Sequence, residues 1–258
     1  MRFKAACVQF DVKKEELEKN LAFVISSLQK LSKEKVKLVV LPELWAAKFD
    51  KEKSEKLWDF SQAALNEVAP LSKKYEMVIV GSLIEKEGNN YFNTAYVTDA
   101  SGNVIARYRK VHLFSMAGED TYFKSGREKV VVGTEVGKLG VIICYDLRFP
   151  ELARELALDG AEILAVPAQW PKARVKHWRT LALARAIENQ FFVVACNRTG
   201  WDKEEEYPGH SLLIDPWGEA LAEGGEDDGF IIAEIDLERI KIVRHSMKCF
   251  EDRTPHVY

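Results

Sequence analysis

Cysteine is scarce and dispersed: Cys7, Cys144, Cys196 and Cys249 lie far apart in 258 residues and form no C-x-x-C pair. A disulfide framework and a zinc knuckle therefore both lack the spacing they need. No apolar run approaches the ~20 residues of a bilayer-spanning helix, and the apolar stretch in MRFKAACVQFD is too short for a secretory leader. Charge of neither sign is concentrated, since 37 basic and 40 acidic residues leave a net charge of −3. Nucleic acid and anionic membrane would require a basic face that is missing. There is no H-E-x-x-H and no histidine–carboxylate pair at ligand spacing, and Gly133, Gly137 and Gly140 do not make a phosphate loop. These absences predict a protein of the reducing cytoplasm, without a metal or cofactor and without nucleic acid or membrane as partner.

What is present is a globular composition, 47% hydrophobic and 30% charged, in a chain long enough for a sizeable core. Strand-like runs and helical patterns alternate along it. FKAACVQF (3–10), VKLVVLPE (36–43) and MVIVGSLIE (77–85) read as strands, separated by helices over about 15–31 and 54–74. In VKLVVLPE the apolar residues run on without alternation, as they do in a strand covered on both faces. Residues 91–99 and 103–110 flank Ala100-Ser101-Gly102 as a hairpin, and 130–136 with 139–143 flank Gly137 as a second pair. Pro150 suits the first position of a helix to about 158. EILAVPAQW, a helix over about 174–189, FFVVACN, SLLID and GFIIAEID complete the series. No linker or internal repeat divides it, so one α/β domain over 1–258 is expected, with a mixed sheet-rich core layered with helices and a polar tail from about 240.

Three polar residues end apolar strands: Glu43 after KLVVLP, Lys110 after NVIARYR, and Cys144 after GVII. Ligands of open α/β sheets bind beyond those strand ends. A carboxylate base could ready a thiol for attack, and an ammonium could hold the oxyanion that forms. Each residue alone has a structural reading as well: a strand-ending cysteine as core, Glu43 as a turn residue, Lys110 as a solvated base. Cys7 and Cys196 sit inside apolar runs and read as core, and Cys249 as incidental. A Cys–His dyad is the competing chemistry, yet His112, His177 and His210 read as structural, and His245 and His256 belong to the tail.

Taken together and in order, LPELW, YRKVHLF and GVIICYDLRFPE resemble the three signature blocks of the nitrilase superfamily of carbon–nitrogen hydrolases. The likeness extends over nearly the whole chain, through ACVQF, RAIENQFFVVACNRTG and GHSLLIDPWGE. It implies a four-layer αββα sandwich of two mixed β-sheets flanked by helices, paired into a homodimer or a higher homo-oligomer. It also implies roles: Glu43 as general base and acid, Lys110 as oxyanion donor beside the backbone N–H of Tyr145, Cys144 as nucleophile, and Glu119 of SMAGED as a second glutamate. Tyr145-Asp146 after the cysteine resembles the amidase branches. PAQWPKARVKHW with CYDLRFPE and CNRTG is similar to ω-amidases acting on the small-molecule amides 2-oxoglutaramate and 2-oxosuccinamate. For the substrate carboxylate the resemblance offers Arg148, which matches a carboxylate-binding arginine of carbamoylases, or Arg174, with Tyr145 and Trp170 as walls. An N-carbamoyl hydrolase, an aliphatic amidase and a non-catalytic binding member are the competing readings.

Overall fold

The computed structural model describes residues 1–203 and 205–257. Six strands form the first mixed sheet: β1 (Arg2–Gln9), β2 (Val36–Val40), β3 (Val78–Glu87), β4 (Asn90–Thr98), β5 (Val104–Arg109) and, from the far end of the chain, β14 (Gly229–Asp236). Their order is β14-β1-β2-β3-β4-β5, with β1, β2 and β3 parallel and the outer pairings antiparallel. The second sheet repeats the plan with β6 (Val131–Thr134), β7 (Gly137–Val141), β8 (Ile163–Ala168), β9 (Phe192–Asn197), β12 (Leu212–Ile214) and β13 (Ala220–Glu223). Here β7, β8 and β9 run parallel within the order β13-β12-β9-β8-β7-β6.

Side-chain alternation along the central strands builds the layers. Ala5, Cys7, Leu38, Val40, Val78 and Val80 join the core that includes the second sheet. Their neighbours Ala6, Val8, Val39 and Ile79 instead meet the apolar stripes of α1 (Leu17–Lys33) and α2 (Ser54–Tyr75), among them Val24, Leu28, Leu31 and Val68. Both faces of these strands are thus covered, which is why their sequence runs apolar without a break. On the other side α3 (Pro150–Leu158) and α4 (Val175–Asn189) cover the second sheet through Leu156, Trp178, Ala182 and Ala186. The result is the αββα sandwich. Gly137 makes the β6–β7 turn at φ +110°, and a Cβ there would lie 2.8 Å from Glu162 Oε2 and 2.9 Å from Leu237 Cδ1. Cys7 and Cys196 are fully buried in the core, as their apolar settings predict.

Two parts differ from the sequence expectation. The stretch expected as a tail from about 240 begins inside a helix, α5 (Glu238–Ser246), whose Ile240 and Val243 are buried. Only two apolar positions anchor this short element amid charged ones, so its periodicity is faint. A small hairpin of β10 (Thr199–Asp202) and β11 (Glu205–Pro208) also stands apart from both sheets; its polar sequence hides it from an alternation test. Among the described residues no helix is long and apolar enough to cross a membrane.

The packing of α5 carries a direct test. Ile240→Ala is expected to lower unfolding free energy in urea by about 2–4 kcal/mol, the usual cost of emptying a buried Ile site. An unchanged midpoint would mean that this segment does hang free.

Candidate active site

The first sheet delivers Glu43. β2 ends at Val40, and the chain is pinned to β3 as it leaves: Leu41 N–H donates to Val80 O at 2.7 Å, Leu44 N–H to Ser82 Oγ at 2.8 Å and Trp45 N–H to Ser82 O at 3.2 Å. Leu44 takes φ +46° there, turning the side chain of Glu43 inward. Glu43 then bridges to the second sheet. Gln169, just past β8, donates its backbone N–H to Glu43 Oε2 at 3.0 Å and its side-chain Nε2 to Glu43 O at 2.6 Å.

Lys110 follows β5 directly, its N–H bound to Asn93 O of β4 at 2.9 Å. Its ammonium is 2% exposed and donates to Glu43 Oε1 at 2.7 Å and to Glu119 Oε1 and Oε2 at 3.0 and 2.8 Å. Asn93 Nδ2 ties the two carboxylates together, at 2.8 Å from Glu43 Oε1 and 3.2 Å from Glu119 Oε1. Glu119 sits on a single 3₁₀ turn and accepts the Phe114 N–H at 2.7 Å. Burial works to strip the Lys110 proton, but the two carboxylates outweigh it and hold the amine well above its usual range.

Cys144 opens a 3₁₀ turn, Cys144–Arg148, at φ +46°. Such a left-handed residue without glycine costs roughly 1–2 kcal/mol and needs support. Asp146 supplies it: fully buried, its Oδ2 accepts the Ile143 N–H at 2.9 Å and the Tyr108 hydroxyl at 2.7 Å, while Oδ1 accepts the His112 N–H at 2.9 Å and faces His112 Nδ1 at 2.8 Å. Arg185 of α4 clamps the same turn through Leu147 O. The sulfur points at Gln169 O, 3.7 Å away. Burial, and after it the Glu43 carboxylate, push the Cys144 thiol well above its usual range despite Lys110. Both effects favour the thiol form of Cys144 over the thiolate.

Glu43, Lys110, Glu119, Cys144 and Gln169 open onto one cavity of about 370 Å³. Each of the residues singled out from sequence lines it: Glu43, Lys110, Glu119 and Cys144, with Tyr145, Arg148, Trp170 and Arg174 around them. Arg148 lies 4.6 Å over the Trp170 ring, with both terminal nitrogens 3.4 Å from His177 Nδ1, and Arg174 lies 5.4 Å over the Phe114 ring. His112 faces away to Asp146 and stacks on Phe149, and the His210 carbonyl accepts the Trp178 indole N–H; neither lines the cavity. Among the described residues no histidine lines the cavity beside Cys144, as the Cys–His alternative would require.

Sequence reading missed Asn93, Gln169 and Asp146 as supports. Asn93 had a visible signal, a buried amide in the middle of the apolar strand YFNTAYV. Gln169 reaches Glu43 Oε2 and Cys144 through its backbone, which no residue code announces, and the Glu43 carbonyl through its side chain. Lys48 and the β10–β11 hairpin, with Asp202 and Tyr207, also line the cavity unannounced.

A model of the carbon-nitrogen hydrolase family matches residues 4–245. The chain belongs to that family. It is accordingly an enzyme, a hydrolase of carbon–nitrogen bonds other than peptide bonds. Among relatives, the 2-oxoglutaramate amidase of Bacillus subtilis (strain 168) is 38% identical over 260 aligned residues, covering 100% of both chains. That of Paenarthrobacter nicotinovorans is 35% identical over 238 residues, 87% of this chain and 80% of its own. A carbon-nitrogen hydrolase from Helicobacter pylori G27 has the same fold in its crystal structure, with a TM-score of 0.94 at 29% identity over 100% of this chain and 97% of that one.

Asp146 can be tested apart from chemistry. Asp146→Ala leaves buried donors from Ile143, Tyr108 and His112 without an acceptor and should cost about 2–4 kcal/mol in urea unfolding. A loss below roughly 1 kcal/mol would contradict its role as the support of the strained turn.

Proposed function

We propose that the enzyme is a thiol amidase that hydrolyses the terminal amide of a small carboxylate-bearing substrate, 2-oxoglutaramate or 2-oxosuccinamate, to the acid and ammonia through a thioester on Cys144. The observation that carries this reading is a buried thiol, a carboxylate and an ammonium around one cavity whose walls add Arg148, Arg174 and Lys48. Names of full-length relatives support the substrate.

Glu43 takes the thiol proton as sulfur attacks the amide carbon. Lys110 and the Tyr145 N–H hold the oxyanion. Protonated Glu43 passes its proton to nitrogen, the C–N bond breaks, and ammonia leaves a thioester. Glu43 then takes a proton from water, hydroxide adds to the thioester, and collapse expels sulfur, which recovers its proton from Glu43. Glu119 matters when Glu43 is protonated and neutral, because it remains as the carboxylate that keeps Lys110 charged and aimed. The carboxylate end of the substrate meets the cationic wall, where a guanidinium of Arg148 or Arg174 is the natural bidentate partner.

The same reading takes the enzyme as a cytoplasmic homodimer acting on a small-molecule amide.

Cys144→Ala is expected to abolish ammonia release from 2-oxoglutaramate while circular dichroism stays unchanged; retained turnover would end the assignment. In the active enzyme, intact-protein mass spectrometry of a quenched reaction should find an acyl adduct on Cys144, and an adduct on Cys7 or Cys196 instead would contradict it. Arg148→Met or Arg174→Met should raise KM for the acid-bearing amide about tenfold or more relative to a neutral amide, the scale of one lost charge-assisted contact. Equal effects on both substrates would remove the arginines from carboxylate recognition.

A further inference from the structure

Arg198, the residue directly after β9, is a fully buried guanidinium that does not line the cavity itself. Taking a cation out of water is costly unless every donor finds a partner. Here its Nη2 donates to Asp11 Oδ1 at 2.7 Å, its Nε to Thr199 O at 3.0 Å and its Nη1 to Gln169 Oε1 at 3.3 Å, while the plane lies 4.6 Å from the Tyr207 ring centre. Burial pulls the guanidinium below its ordinary range and Asp11 opposes this, so the charge is retained by its partners. One side chain thus gathers the end of β1, the end of β8 and the base of the β10–β11 hairpin.

The partner that matters chemically is Gln169. With its side chain held by Arg198 at Oε1, Gln169 donates Nε2 to Glu43 O and its backbone N–H to Glu43 Oε2, and its carbonyl accepts from the Cys144 sulfur. The base and the nucleophile therefore share a single residue as reference point, and that residue is oriented from behind by a buried cation. We propose that Arg198, acting through Gln169, is a positioning residue that sets the Glu43 carboxylate and the Cys144 sulfur in register for proton transfer and attack. This rests on Glu43 as base and Cys144 as nucleophile. Lysine would not replace it, since one ammonium cannot span three partners in the fork geometry that arginine offers.

A shift of about 1 Å at reacting atoms is enough to cost ~100-fold in rate, whereas substrate contacts elsewhere in the cavity would be untouched. Arg198→Met and Arg198→Lys are each expected to lower kcat on 2-oxoglutaramate by about 10–100-fold, with KM changed by less than about threefold. Gln169→Leu should show the same split. The double variant Arg198→Met/Gln169→Leu should be no slower than the worse single one, because both break the same link. Asp11→Asn, a milder change that loosens Arg198 from its far side, covers the case in which Arg198→Met does not fold, and should lower kcat by about 3–10-fold. All assays are run well below each variant's melting temperature, so that a purely structural role would shift melting and leave kcat alone. Losses that multiply in the double variant, a kcat within twofold of the parent for Arg198→Met, or a loss that falls on KM would each overturn the proposal. Glu43→Gln and Cys144→Ala serve as the reference pair: if they retain turnover the catalytic reading itself fails, and if they are inactive while Arg198→Met is normal only this inference does.

Discussion

The site depends on one buried ammonium. Lys110 is enclosed at the seam where the two sheets meet, and its hydrogen bonds run to Glu43 and Glu119, a carboxylate from each side of it. A buried charge of this kind is tolerated only when its geometry is complete, and removal of either acid would leave it badly compensated. Completing that geometry requires β2, β5 and the turn at 119 to end at the same depth, and Asn93 of β4 to link the acids. The parallel centre of the first sheet brings the base to this depth, and the β4–β5 hairpin brings the lysine.

Cys144, the proposed nucleophile, is placed by a different set of forces. Two residues at strand ends, Leu44 and Cys144, both take φ +46°, and both turn a functional side chain off the strand path toward the cavity. Neither conformation is favourable for its residue type. Ser82 offsets the first through the Leu44 N–H, and Asp146 offsets the second through a buried set of donors from three segments. The strain is local, and the support comes from neighbours in the fold. This is why the cysteine is fixed although the turn that bears it is only five residues long.

Much of the fold was legible because the central strands are covered on both faces and so read as continuous apolar runs, and because Gly137 and Pro150 mark a turn and a helix start. The αββα layering and the roles of the site came from resemblance, since no periodicity can say that strand ends 67 residues apart meet at Glu43 and Lys110. What stayed hidden was hidden for physical reasons. The β10–β11 hairpin has a polar sequence and belongs to neither sheet, α5 is held by two apolar side chains, and Gln169 meets Glu43 Oε2 and Cys144 through its peptide groups. Asn93 was visible as a polar residue in an apolar strand, but only the fold reveals which two acids it serves.

Electrostatics also explains why a thiol, and not a preformed thiolate, suits this site. With Glu43 and Glu119 ionised beside Lys110, the resting cluster carries one negative charge. A thiolate would raise that to two in a buried space, where a pair of like charges ~4 Å apart repels by about 4 kcal/mol even at an effective dielectric constant near 20. In the proposed cycle the thiol proton moves to Glu43 as the oxyanion forms, so one negative charge is lost where another appears. Departure of ammonia returns the proton from Glu43, and the attack of water repeats the exchange. The cluster keeps the same net charge at every stage, and Lys110 meets a constant field while the oxyanion comes and goes. In that cycle Glu43 exchanges the proton while Glu119 keeps both its oxygens on the ammonium, so the two glutamates that bind Lys110 have distinct work.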